Sequence, residues 1–230
     1  MIHEALILAG GFGTRLGEAA QHLAKPMVEV GGRPFLAWIL DQLAEKKIGK
    51  VLLSVGYRAH QVIGHFGTRW GAMELVYEEE RSPRGTGGAV QAALKRLDGE
   101  YVLTVNGDSF VEFDLAMIEA AARESRNPVV VAVGVEDTAR FGRLEIQRGR
   151  VTRFVEKGIS GAGYINAGVY ALPVACMDGI TAPMPFSLET ALLEPFALAG
   201  RLQAVVTGGR FIDIGVPEDL ARAREGFFDR

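Results

Sequence analysis

Short unbroken apolar runs recur along this chain, and stretches of helical periodicity separate them. Ala5-Leu6-Ile7-Leu8-Ala9, Val51-Leu52-Leu53-Ser54-Val55, Leu75-Val76-Tyr77 and the runs at 101–105 and 129–135 each have the length and character of a strand buried on both faces. Between them, Pro34 opens a helix whose apolar positions Phe35, Leu36, Ile39, Leu40 and Leu43 keep helical spacing. Residues 59–70 and 86–97 read as further helices, and Asp114 caps one that runs to about Arg123. Strands alternating with helices predict βαβ units, hence an α/β fold: a Rossmann-like, mainly parallel mixed sheet with helices on both faces.

After residue 135 the pattern changes. Runs at 143–147 and 151–155 flank Arg148-Gly149-Arg150 and predict a β-hairpin. Residues 164–172, 204–207 and 211–214 read as strands, 187–195 as a short helix, and Pro217 fits the first turn of another. No linker, repeat or low-complexity segment interrupts the chain, so residues 1–230 are expected to form a single domain. The change of pattern divides that domain into a first part over residues 1–135 and a second over 136–230.

Composition excludes several functions. The 230 residues are 48% hydrophobic and 23% charged with a formal net charge of -3, which is ordinary for a globular chain and argues against disorder. No basic run marks a nucleic-acid partner, and no run of about 20 apolar residues marks a membrane span. Met1-Ile2-His3-Glu4 lacks the basic start of a signal peptide, so a cytoplasmic protein is expected. Cys176 is the only cysteine, which excludes an intrachain disulfide and a cysteine zinc site and leaves a small packing residue. His3, His22, His60 and His65 have no metal-binding spacing, and no G-x-S-x-G nucleophile turn occurs.

In open α/β sheets, ligands bind beyond the carboxyl ends of the strands, which directs attention to the residues just after each apolar run. Gly10-Gly11-Phe12-Gly13-Thr14-Arg15 follows the first strand. Its glycines free backbone N–H groups to face an anion, and Arg15 adds a fork suited to phosphate oxygens, although such a turn also serves purely structural ends. The run lacks the last glycine of G-x-G-x-x-G, because Leu16 stands there. Lys25, fixed by Pro26, is either a held cation or a solvated one. Asn106-Gly107-Asp108 ends the 101–105 strand and reads either as a turn or as a carboxylate placed for a divalent ion on phosphates. Asp213 lies within the apolar Phe211-Ile212-Asp213-Ile214 and requires a partner or a metal.

Taken in order, Leu8-Ala9-Gly10-Gly11-Phe12-Gly13-Thr14-Arg15-Leu16, Lys25-Pro26-Met27, Gly85-Thr86-Gly87-Gly88-Ala89, Asn106-Gly107-Asp108, Glu156-Lys157, Asn166-Ala167-Gly168-Val169-Tyr170 and Asp213-Ile214-Gly215-Val216-Pro217-Glu218-Asp219 resemble the sugar-1-phosphate nucleotidyltransferase family over nearly the whole chain. Within it, the chain most resembles the D-glycero-α-D-manno-heptose 1-phosphate guanylyltransferases. The resemblance implies a GT-A-like domain that joins a nucleoside triphosphate, with GTP favoured, to a sugar 1-phosphate. The backbone of Leu8, Ala9, Gly10, Gly11, Gly13 and Thr14, with Asn106, would hold the nucleotide. Arg15 and Lys25 would hold the triphosphate, and Glu80 with Gly85, Thr86, Gly87 and Gly88 would frame base and ribose. Asp108 and Asp213 would ligate Mg²⁺. Gly142, Glu156, Lys157 and Asn166 would bind the sugar phosphate. Arg15, Lys25 and Asp108 would carry catalysis.

The chain departs from the family's commoner patterns at Leu16-Gly17-Glu18-Ala19-Ala20, at Ala24 before Lys25-Pro26, and at Arg84 before the glycine turn. Arg84 in particular bears on the shape of the base or sugar pocket. A uridylyltransferase acting on N-acetylmuramate 1-phosphate and a mannose-1-phosphate guanylyltransferase are the neighbouring alternatives. A catalytically silent nucleotide-sugar-binding subunit is an alternative of another class, disfavoured because Arg15, Lys25, Asp108 and Asp213 are all retained.

Overall fold

A computed structural model describes residues 1–11, 13, 16 and 22–229. In chain order its elements are β1 (Glu4–Ala9), β2 (Glu29–Val30), β3 (Arg33–Pro34), α1 (Phe35–Glu45), β4 (Lys50–Val55), α2 (Ala59–Phe66), β5 (Arg69–Trp70), β6 (Met73–Glu79), α3 (Gly85–Leu94) and β7 (Tyr101–Asn106). They continue as β8 (Ser109–Val111), α4 (Leu115–Ser125), β9 (Val129–Val135), β10 (Arg143–Gln147), β11 (Arg150–Val155), β12 (Gly163–Pro173), α5 (Glu194–Leu198), β13 (Leu202–Thr207), β14 (Phe211–Asp213) and α6 (Pro217–Arg222).

Among the described residues ten strands form one mixed sheet in the order β10-β11-β13-β9-β12-β7-β1-β4-β6-β5. The parallel character expected from the sequence holds for β6-β4-β1-β7 and for β9-β13. Strand β12 joins these two blocks by pairing antiparallel with both β7 and β9. Its register shifts between Asn166 and Tyr170, where Gly168 takes φ of 76°. The Asn166-Ala167-Gly168 run therefore sits on a bulge at the seam of the sheet.

Alternation along the strands sorts side chains into two cores, one per face. Ala5, Ile7, Val51, Leu53, Leu103 and Val105 pack with the apolar sides of α1, α2 and α4. On the other face, Leu6, Leu52, Val102 and Val130 pack under α3 and α5. The five apolar positions spaced along α1 are all buried, and Asp114 accepts from the Ala116 N–H at 2.8 Å as the cap of α4. The expected helix over 59–70 stops at Phe66, because Gly67 turns the chain at φ of 60° and β5 then pairs with the sheet edge. In the 148–150 hairpin, Arg148 and Gly149 take φ of 51° and 74°, the double left-handed turn that matches strand twist. Cys176 is largely buried, and desolvation pushes its thiol up to about 12, consistent with a packing role. No helix of the described residues is long and apolar enough to cross a membrane.

Candidate active site

The two neighbours of β1 leave it in opposite directions, toward β4 and toward β7. That is a topological switch point, where the loops at the carboxyl ends of the strands splay apart and open a crevice. The structure has a cleft there of about 490 Å³, lined in part by Leu8, Ala9, Gly10, Gly11, Lys25, Glu80, Gly85, Thr86, Asn106 and Asp108. The volume suits a nucleotide-sized ligand.

Close backbone packing shapes its floor. A Cβ at Gly56 would lie 2.9 Å from the Gly10 carbonyl oxygen, so the turns after β1 and β4 touch through their main chains. The first glycine turn thus has a packing duty besides any ligand. Glu80 follows β6 on the cleft wall, where its Oε1 accepts from Ser54 Oγ at 2.8 Å and its Oε2 from the Arg84 N–H at 3.1 Å. Both oxygens are held, which makes Glu80 a fixed acceptor rather than a swinging one. Asn106, the last residue of β7, packs against Gly168 on the β12 bulge: a Cβ at Gly168 would lie 2.7 Å from Asn106 Nδ2. Asn166 accepts from the Gly168 N–H at 3.0 Å and donates to the Tyr170 hydroxyl at 2.8 Å. Burial chiefly, with the nearby Glu189 carboxylate, raises the Tyr170 phenol well above its ordinary value, so it remains neutral.

The two carboxylates singled out in sequence meet at one hydroxyl. Strand β8 pairs antiparallel with β14, setting Ser109 opposite Asp213. Ser109 Oγ lies 3.3 Å from Asp108 Oδ1 and 3.1 Å from Asp213 Oδ2. Lys25 reaches Asp108 Oδ2 at 2.6 Å from a single 3-10 turn over Lys25–Met27. Asp213 Oδ1 accepts from the Gly215 N–H at 2.7 Å and faces Arg140 at 3.5 Å. Arg140 also pairs with Asp219, a buried carboxylate that Arg222 holds at 3.1 Å. No group of three or more His, Cys, Asp or Glu able to hold a metal occurs among the described residues. Two carboxylates and a hydroxyl are a hard-oxygen donor set, which fits Mg²⁺ better than zinc or copper, since Mg²⁺ keeps waters and substrate phosphates among its ligands. Asp108 and Asp213 are the residues that would hold it.

Some expected residues lie elsewhere. Gly87 and Gly88 do not face the cleft: a Cβ at Gly87 would strike the Phe186 ring at 2.4 Å, and one at Gly88 the Met184 sulfur at 2.5 Å. These two glycines admit the 184–187 segment against α3, while Gly85 and Thr86 line the cleft. The Arg84 side chain turns away to pair with Glu78 at 3.0 Å and does not line the cleft, while its backbone N–H holds Glu80 on the cleft wall. Glu156 and Lys157 are exposed at the end of β11 and, like Gly142, lie outside the cleft lining. Lys157 and Gly142 are neighbours, a Cβ at Gly142 falling 3.8 Å from Lys157 Cγ. The Gly158 N–H donates to Ala139 at 2.7 Å, which ties this group to the turn carrying Arg140. Gly13, at φ of 66°, follows the cleft-lining glycines. Thr14 and Arg15 lie outside the described residues, as does most of the 16–20 departure.

Sequence reasoning missed Ser109 and Arg140, and named Asp219 at the end of the last motif without giving it a role. Ser109 stood directly beside Asp108, and a hydroxyl next to a candidate metal ligand was the available signal. Arg140 and Asp219 meet only through the folding of the second half.

A family model described as Nucleotidyl transferase matches residues 4–227. D-glycero-alpha-D-manno-heptose 1-phosphate guanylyltransferases of Aneurinibacillus thermoaerophilus and Campylobacter jejuni are each 33% identical to this chain, the first over 96% of this chain and 97% of its own, the second over 94% and 96%. A mannose-1-phosphate guanylyltransferase of Arabidopsis thaliana is 30% identical, with the match covering 98% of this chain and 65% of the longer plant protein. Among solved structures, HddC from Yersinia pseudotuberculosis complexed with GMP-PN superimposes with a TM-score of 0.86 at 34% identity, covering 98% of this chain and 100% of HddC. With the glycine turn, the paired carboxylates and the switch-point cleft all in place, the chain belongs to the nucleotidyl transferase family, among enzymes that act on sugar 1-phosphates.

Proposed function

We propose that this enzyme transfers GMP from GTP to D-glycero-α-D-manno-heptose 1-phosphate, with Mg²⁺, releasing pyrophosphate. The observation that carries the reaction type is Lys25, Asp108, Ser109 and Asp213 converging beside the cleft. The guanine and heptose assignments rest on the two relatives similar along nearly their whole length.

An oxygen of the sugar phosphate attacks the α-phosphorus of GTP, the bond from that phosphorus to the bridging oxygen breaks, and pyrophosphate leaves with the electron pair. The nucleophile is already an anion, so the protein need not remove a proton. Its work is to position two polyanions and to offset their repulsion. Mg²⁺ held by Asp108 and Asp213 would supply neutralisation of charge on the phosphate oxygens. Lys25 donates to phosphate in exchange for Asp108, and Lys157, exposed just after β11, meets the incoming sugar phosphate. Glu80 presents a fixed acceptor to a base N–H. Residues 1–135 supply the nucleotide side and 136–230 the sugar side, joined at the β12 bulge.

The test is pyrophosphate release with Mg²⁺ and each of GTP, UTP, ATP, CTP and dTTP against heptose, mannose, glucose and N-acetylmuramate 1-phosphates. Release with GTP and the heptose phosphate, lowered at least ~10²-fold by Asp108→Asn, is the expected result. Release with UTP and the muramate substrate, or with GTP and mannose 1-phosphate, would overturn the substrate and keep the reaction type. Nucleotide binding without release in any pairing would favour a silent binding protein.

A further inference from the structure

We propose that Arg140 is a positioning residue for Asp213: it stands in for a divalent cation at that carboxylate and gives up the contact when the cation binds. The inference rests on the reading of Asp108 and Asp213 as metal ligands and adds what holds them when no metal is there.

Two carboxylates sharing one serine hydroxyl repel each other, and a single proton between them satisfies only one at a time. Each therefore carries its own cation, one from each half of the chain: Lys25 on Asp108 and Arg140 on Asp213. Two positive charges balance two negative ones, the same balance that one divalent ion gives. A divalent ion at this site therefore competes with the resident cations for the two carboxylates.

The two resident cations are held differently. The ion pair of Lys25 is to Asp108 at 2.6 Å. Arg140 has a second anchor in Asp219, which is buried, lies in the first turn of α6 and is braced by Arg222. The guanidinium also lies over the Phe141 ring, 4.3 Å from its centroid. Its contact to Asp213, at 3.5 Å, is the longest that Asp213 makes. When Asp213 turns to a metal, that contact is the one released, and Asp219 keeps Arg140 in place. Asp213 meanwhile retains its bonds to Ser109 and the Gly215 N–H. The carboxylate is thereby kept aimed at Asp108, at the cost of a competing charge.

The competition has a sign that a purely structural ion pair lacks. Titrating the nucleotide-free protein with Mn²⁺, and reading free Mn²⁺ by electron paramagnetic resonance, should show Arg140→Gln binding about 3- to 10-fold more tightly than the parent chain, because a cation next to the ligand has gone. Asp213→Asn should bind at least ~10-fold more weakly, having lost a charged ligand. If Arg140→Gln does not fold, Arg140→Met, which keeps the stem over Phe141 without the charge, is expected to give the same tightening. Unchanged or weaker Mn²⁺ binding in a folded charge-removed variant, beside a parent chain that binds, would overturn the inference alone. A folded parent chain that binds no Mn²⁺ would overturn it together with the metal-ligand reading.

Discussion

A methyl group at residue 87 would lie 2.4 Å from carbons of the Phe186 ring and 3.0 Å from the Ser187 carbonyl oxygen. Gly87→Ala should lower stability by about 1–3 kcal/mol through overpacking, even though alanine favours the helix, and thermal melting would show it. Sequence reads a helix from Thr86 entered through glycines, and Gly85-Thr86-Gly87-Gly88 are the first residues of that helix, α3. It does not say which glycine faces a ligand and which admits another chain segment, because that depends on residues a hundred positions away. The same limit hid Ser109 and Arg140. Asp108 and Asp213 were legible one by one, the first as a carboxylate just after an apolar run and the second as one within such a run. The hydroxyl that unites them depends on a three-residue strand finding its partner late in the chain.

At the scale of elements, Glu78 binds α3 to the sheet at both ends. From β6 it accepts from Arg84, just before the helix, at 3.0 Å, and from Arg96, just after it, at 2.7 Å. Burial works to raise its pKa, but hydrogen bonds from Arg96 and then Arg84, with their charges, hold it below the usual carboxylate value. A lowered folded-state pKa stabilises the protein above the unfolded-state value, and this contribution is lost as pH falls through the folded one. Glu78→Gln should therefore cost about 1 kcal/mol at pH 7 and progressively less below about pH 4.5, measured as the difference between denaturation curves of the two proteins. Strands β1, β4, β7 and β9 were readable because a strand buried on both faces needs an unbroken apolar run. The position of β12 was not: its composition predicts a strand, but pairing with both β7 and β9 is a non-local choice. The end of α2 was misread because Gly67, not the periodicity, stops it.

Across the whole molecule, Phe228 draws distant parts together. Its ring stacks on Trp38 of α1 at 4.2 Å with planes 9° apart, and meets Phe110 of β8 at 5.0 Å and Phe35 at 6.1 Å, both edge-on. Phe228→Ala should cost about 2–4 kcal/mol, seen as a lower midpoint in urea, by emptying a site shared by α1 and β8. Strand β8 carries Ser109, so the aromatic cluster also braces the strand on which the carboxylates meet. Strand β12 has a consequence in time. A ribosome delivers β1, β4, β6 and β7 first, and these can already pair as a parallel block, yet the outer edge of β7 stays open until residues 163–173 have emerged. Throughout that interval the nascent chain presents unpaired backbone that a second nascent copy can capture. The same late arrival delivers Gly168 to its place beside Asn106, so the cleft is finished only when the vulnerable edge is sealed.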